Sequence, residues 1–105
     1  MNNEHFNMVI SHRLQTIFEL FERKQKEYAL KHPLHNFSKA SRVSGKRMSE
    51  VWYGYFLKHY VSLLDIINGD IDPTKELVDE KITDMIVYLL LFEHIIEEEK
   101  LKRGE

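Results

Sequence analysis

Helix-breaking residues are scarce in this chain: 105 residues hold four glycines and two prolines. A sheet-rich fold needs such residues at its hairpins and strand corners, and no segment shows the alternating pattern of a half-buried strand. Apolar residues instead recur at helical spacing. Ile10, Leu14, Ile17, Phe21 and Tyr28 draw one narrow stripe over a first helix from about Phe6 to Leu30, with Lys24 completing the series. His32-Pro33 ends it, because the residue before proline is driven out of helical geometry. His35-Asn36-Phe37 reads as a loop, and Ser38 to Val43 as at most two helical turns closed near Gly45.

A second long helix is predicted from Lys46 to Ile67. Its centre, Val51 to Leu57, is apolar nearly all round, as expected of an element covered on most sides. Asn68-Gly69-Asp70 stops it. Asp72 is placed as the cap of a third long helix, with Pro73 at its first position and Glu76 in the opening turn. That helix runs to about Glu99, and residues 98–105 are expected to fray. The reading is one all-α domain over residues 1–105, a small bundle of three long helices and one short one. Two helices greasy on most sides are more than a chain of this size easily hides, so a homo-oligomer is expected.

The absence of cysteine excludes a disulfide framework, a thiolate nucleophile and a Cys-ligated metal. No apolar run approaches the roughly 18 residues of a membrane span, and the start MNNEH is not a signal peptide. No membrane partner is expected, and the expected setting is a reducing cytoplasm. The net charge of −2 hides an asymmetry. From Lys31 to His59 six bases (Lys31, Lys39, Arg42, Lys46, Arg47, Lys58) face one acid, Glu50, while the remainder carries an acid excess. Such a split suits a basic patch that meets an anion, or merely two solvated faces.

Polar residues interrupt the apolar helices. Tyr55, Lys58, His59, Ser62 and Asp65 span about 120° of the second long helix, either a solvent strip or the wall of a pocket. Glu80 and Asp84 stand one turn apart on a stripe that continues as Val87 and Leu91. Asp84 therefore needs a partner, whether a lysine (Lys24, Lys58 or Lys81) or a divalent cation such as Mg²⁺ shared with Glu80. Lys24 and Glu27 form a comparable pair on the first helix, an ion pair or the start of a phosphate and metal site. His32-x-x-His35 has ligand-like spacing, but Pro33 breaks the helix that would align it.

Lys24-x-x-Glu27-Tyr28, His35-Asn36-Phe37, Trp52-x-Gly54-Tyr55-x-Leu57-Lys58-His59-x-x-Ser62-x-x-Asp65 and Glu80-Lys81-x-x-Asp84-x-x-x-Tyr88 together resemble small phage and prophage proteins. Those belong near the MazG-like, all-α nucleoside triphosphate pyrophosphohydrolases and the nucleotide-modification-associated domains. The likeness spans about residues 20 to 96. It implies an oligomeric helical bundle whose acidic Mg²⁺ site grips a nucleotide's phosphates, with water attacking the α-phosphate. Carried over, Glu27, Glu80 and Asp84 become catalytic metal ligands, and Lys24 and Lys58 phosphate contacts. Asn36 and His59 become base or sugar contacts, with Ser62, Asp65 and Lys81 beside them. The family pattern sets E-x-x-E on one helix and E-x-x-D on the next; here Lys24 and Lys81 occupy two of those four acid positions.

Three functions follow. The first is binding, with Mg²⁺-dependent hydrolysis, of a phosphorylated nucleotide. The second is capture without turnover, in which Lys24, Lys58, Lys81 and the cluster of Lys39, Arg42, Lys46 and Arg47 act as cations on phosphate. The third is DNA binding by a helix-turn-helix built on Ala40, Gly45 and Val51. It ranks last: the turn is one residue too long, and the recognition helix would run into Val51-Trp52-Tyr53, which needs burial.

Overall fold

The computed structural model describes residues 3–28 and 30–104, and every regular element among them is helical. The helices are α1 (Asn3–Tyr28), α2 (His35–Ser44), α3 (Met48–Ile67) and α4 (Lys75–Lys102). The chain divides after His32 into two compact units, the first built on α1 and the second on α2, α3 and α4. Along α1, Ile17 is buried, whereas Ile10, Leu14 and Phe18 are exposed. No helix among the described residues is long and apolar enough to cross a membrane.

The second unit is organised by an antiparallel α3–α4 pair. Contacts run in reversed order: Ser49 meets Glu99, Trp52 meets Tyr88 and Phe92, and His59 meets Asp84. Leu34, Phe37, Met48, Trp52 and Ile95 form the buried core, flanked by Val51, Phe56, Tyr88, Leu91 and Phe92. Trp52 stacks on Phe56 with ring centroids 4.7 Å apart and leans on Phe92 at 4.4 Å. Its indole N–H donates to the Tyr88 carbonyl at 2.8 Å. That bond uses the lone pair a helix carbonyl keeps after accepting its own i+4 partner, so the only buried indole is satisfied.

Helix boundaries depart from the sequence reading in instructive ways. Residues 35–37, expected as loop, form the first turn of α2. Leu34 is the N-cap and makes no side-chain cap bond; its carbonyl accepts from Ser38 N–H at 2.9 Å. Burial of Leu34 and Phe37 therefore holds this turn, where a capping residue usually would. Gly45 closes α2 at φ 74°, the left-handed cap that its position suggested.

At α3, Arg47 is the N-cap, and Glu50 reaches back to accept from its N–H at 3.2 Å. Asn68-Gly69-Asp70 ends that helix as expected. Gly69 lies at φ 79°, and its N–H and that of Asp70 return to Ile66 and Asp65 carbonyls. The cap of α4 is Thr74, not Asp72: its hydroxyl accepts from Leu77 N–H at 3.2 Å, which leaves Pro73 ahead of the helix. At its other end α4 continues to Lys102, where Lys100 and Lys102 complement the helix dipole. Residues 98–102 are thus helical.

The α3 centre is not covered on every side. Tyr53, Tyr60 and Val61 are exposed, as are Leu89 and Leu90 on α4.

Ile95 is fully buried where α3 and α4 meet. Ile95→Ala should destabilise the protein by about 3 kcal/mol, the usual cost of emptying such a site. Urea unfolding followed by Trp52 fluorescence checks this, and a change under about 1 kcal/mol would mean the α3–α4 seam is not the core.

Candidate functional site

Core stripes on α3 and α4 lose their apolar character at the same end of the helix pair, and polar groups meet there. Met48, Trp52 and Phe56 lead by helical spacing to His59; Ile95, Leu91 and Val87 lead back to Asp84. His59 Nδ1 and Asp84 Oδ2 lie 3.9 Å apart, beyond hydrogen-bond length. The His59 side chain is mostly covered, and its ring packs against Tyr88 with centroids 4.6 Å apart. Phe37 sits edge-on to Tyr55 at 5.7 Å and to Tyr88 at 6.2 Å, so α2 closes the aromatic wall. Burial first, then the negative charge of Asp84 and the neighbouring Tyr55, raise the Tyr88 phenol above its usual value of 10.0.

A groove of about 280 Å³ runs between α2 and α3, lined by Lys46, Glu50, Gly54, Tyr55 and Lys58 together with Ala40. Lys58 Nζ lies 6.0 Å from the Tyr55 ring centroid, at the outer limit of a cation–π contact. Gly54 is in mid-helix, where glycine costs roughly 0.5–1 kcal/mol relative to alanine. No atom within 4 Å would meet a Cβ there, so no close packing explains it. A side chain at position 54 would instead project into the groove.

Around Lys46 two further grooves open. One, of about 480 Å³, is lined by Arg42, Lys46, Arg47, Lys102 and Arg103. The other, of about 460 Å³, lies against Trp52, Tyr53 and Phe92. Glu50 is held below the usual carboxylate range by the Arg47 backbone N–H and then by the Arg47 guanidinium, 3.2 Å away.

No family model, no curated protein and no solved structure matches this chain.

The second unit brings several of the expected residues together: His59 with Asp84, Lys46 with Lys58, and Arg42 with Lys46. Others stand apart. Lys24 and Glu27 belong to the first unit, where they pair with each other at 3.7 Å. Glu80 is largely exposed and lies 3.9 Å from Lys81. Ser62 donates its hydroxyl to the Lys58 carbonyl, one turn back in its own helix. Asn36 and Lys39 are exposed on α2, and Asp65 is half-buried near the end of α3.

Sequence reasoning overlooked Glu99, Lys102 and Arg103, all three of which fall in the segment read as a fraying tail. Lys102 falls seven residues beyond the buried Ile95, on the same helix face, and that spacing was the available signal.

A group whose folded value is raised stabilises the fold fully below its unfolded value, here about pH 10, and that stability is lost as pH rises through the folded value. An ultraviolet titration should therefore show a tyrosinate step above the ordinary range. Tyr88→Phe removes that step, and Asp84→Asn moves it downward; a step unchanged in both variants belongs to another tyrosine.

Proposed function

We propose that the chain binds a phosphorylated nucleotide in the groove between α2 and α3, in keeping with the MazG-like resemblance of its motifs. Gly54 carries the reading. An interior helical glycine is destabilising, and here its consequence is a floor of bare helix between Lys46 and Lys58, beside an aromatic ring. Lysines as point charges on phosphate and a tyrosine on which a base can stack are the complementary pair that a nucleotide needs.

Hydrolysis is the second reading, favoured by two carboxylates one turn apart, those of Glu80 and Asp84. Mg²⁺ commonly binds through one or two carboxylates plus the substrate's phosphates, and this donor set fits that mode. When bound, the ion would supply charge neutralisation at phosphorus and orient water. Capture without turnover is preferred, because each acid already has a basic side chain within 4 Å: Lys81 at Glu80 and His59 at Asp84. Self-association with a second copy is part of the proposal, supported by Tyr53, Tyr60 and Val61 left exposed on α3. Sedimentation equilibrium should return a mass above the 12.6 kDa of one chain.

Calorimetric titration with nucleoside mono- and triphosphates tests the main reading. Gly54→Ala should raise stability by about 0.5–1 kcal/mol. Gly54→Leu should keep or raise the melting temperature while weakening nucleotide binding at least tenfold, and Lys58→Ala should weaken it severalfold. Binding that survives Gly54→Leu undiminished removes the groove from consideration.

A further inference from the structure

The second groove beside Lys46 adds the end of α4, with Glu99, Lys102 and Arg103, to the basic cluster of Arg42, Lys46 and Arg47. Arg42 comes from the last turn of α2, Lys46 and Arg47 from the α2–α3 turn, and Lys102 and Arg103 from the end of α4. Segments distant in sequence thus bring five cations to one groove of about 480 Å³. Arg47 is already engaged by Glu50. Among the described residues, no ion pair is formed by Arg42, Lys46 or Lys102. Like charges repel, so gathering five cations around a groove lined by a single carboxylate costs stability that an anion would recover.

One carboxylate does line this groove, and its placement is informative. Glu99 of α4 accepts from the Ser49 backbone N–H at 3.0 Å, satisfying a donor that the first turn of α3 otherwise leaves open. The chain's own acid therefore lies where an anion would gain from both the surrounding cations and that N–H.

We propose that this groove binds an oligophosphate, a run of two or more linked phosphoryl groups, and that Glu99 is its built-in competitor. The identity of the natural ligand rests on the nucleotide reading. Lys46 lines both grooves, so a nucleotide seated beside Tyr55 and Gly54 can pass its phosphate tail across Lys46 towards Arg42 and Lys102. A nucleoside triphosphate, or a nucleotide with a longer phosphate chain, spans the two; a monophosphate fills only the first. Phosphoryl oxygens would meet guanidinium and ammonium groups from both sides, and the carboxylate of Glu99 would yield its place.

Titration calorimetry on the full chain with sodium tripolyphosphate and with orthophosphate provides the test. Tripolyphosphate should bind at least tenfold more tightly than orthophosphate, and less so as salt rises. Arg42→Ala and Lys102→Ala should each weaken it at least fivefold with melting temperature unchanged. Glu99→Gln should tighten it at least threefold, since the amide oxygen still accepts from Ser49 N–H while the competing charge is gone. Tripolyphosphate binding that is absent, or indifferent to all three substitutions, overturns the proposal. A parallel series with nucleoside triphosphates separates the two readings. If the nucleoside adds no affinity over bare tripolyphosphate but the three variants respond, the oligophosphate groove stands and the nucleotide reading falls. If Gly54→Leu abolishes nucleotide binding while Arg42→Ala and Lys102→Ala change nothing, the reverse holds.

Discussion

The indole of Trp52 ties the second unit together. It lies against Phe56 of its own helix and Phe92 of α4, and its N–H reaches across to a backbone carbonyl of α4. Apolar stacking alone is tolerant of sliding, because area is conserved when one helix shifts along another. A directed bond from a rigid ring to a fixed carbonyl is not. It sets the register of α3 on α4, and the other pairings inherit that register: Ser49 with Glu99 at one end, His59 with Asp84 at the other. Both polar ends of the helix pair are thus positioned by its apolar middle.

Charge divides along the same axis. At the α3 N-terminus the surroundings are basic, with α2 and the end of α4 contributing arginine and lysine. Towards the middle of α3 the neighbours are an imidazole, a carboxylate and phenols. Lys58 stands between these two environments, on the groove shared with Lys46 and within reach of the Tyr55 ring. This layout gives an elongated anionic ligand one end that is charged and another that is aromatic.

The helices were legible because their evidence is local. The Ile10-to-Tyr28 stripe, the Asn68-Gly69-Asp70 stop and the left-handed Gly45 all follow from spacing and backbone preference within a few residues. What sequence missed depended on contacts made elsewhere. The first turn of α2 has no capping side chain, so its helicity is supplied by Leu34 and Phe37 entering the core. Asp72-Pro73 gave a plausible start for α4, yet a threonine one residue beyond the proline offered its hydroxyl to the right N–H. Asp84 was expected to need a partner, and it has one, but in His59 instead of a lysine. That pairing depends on two stripes ending at the same level of an antiparallel pair, which no single-helix pattern encodes. Lys102 was passed over because the last residues were read only as a fraying helix end, without the neighbours from α2 that share its groove.

The uncapped start of α2 has a wider meaning. A ten-residue helix is too short to persist alone in water, and this one is anchored mainly through Leu34 and Phe37. Arg42 stands towards its far end, five residues beyond Phe37. Should that anchor loosen, one rim of the basic cleft would come away from the other. An anion clasped between Arg42 and Lys102 would then act as a stitch, and occupancy of the cleft and integrity of the short helix would reinforce one another.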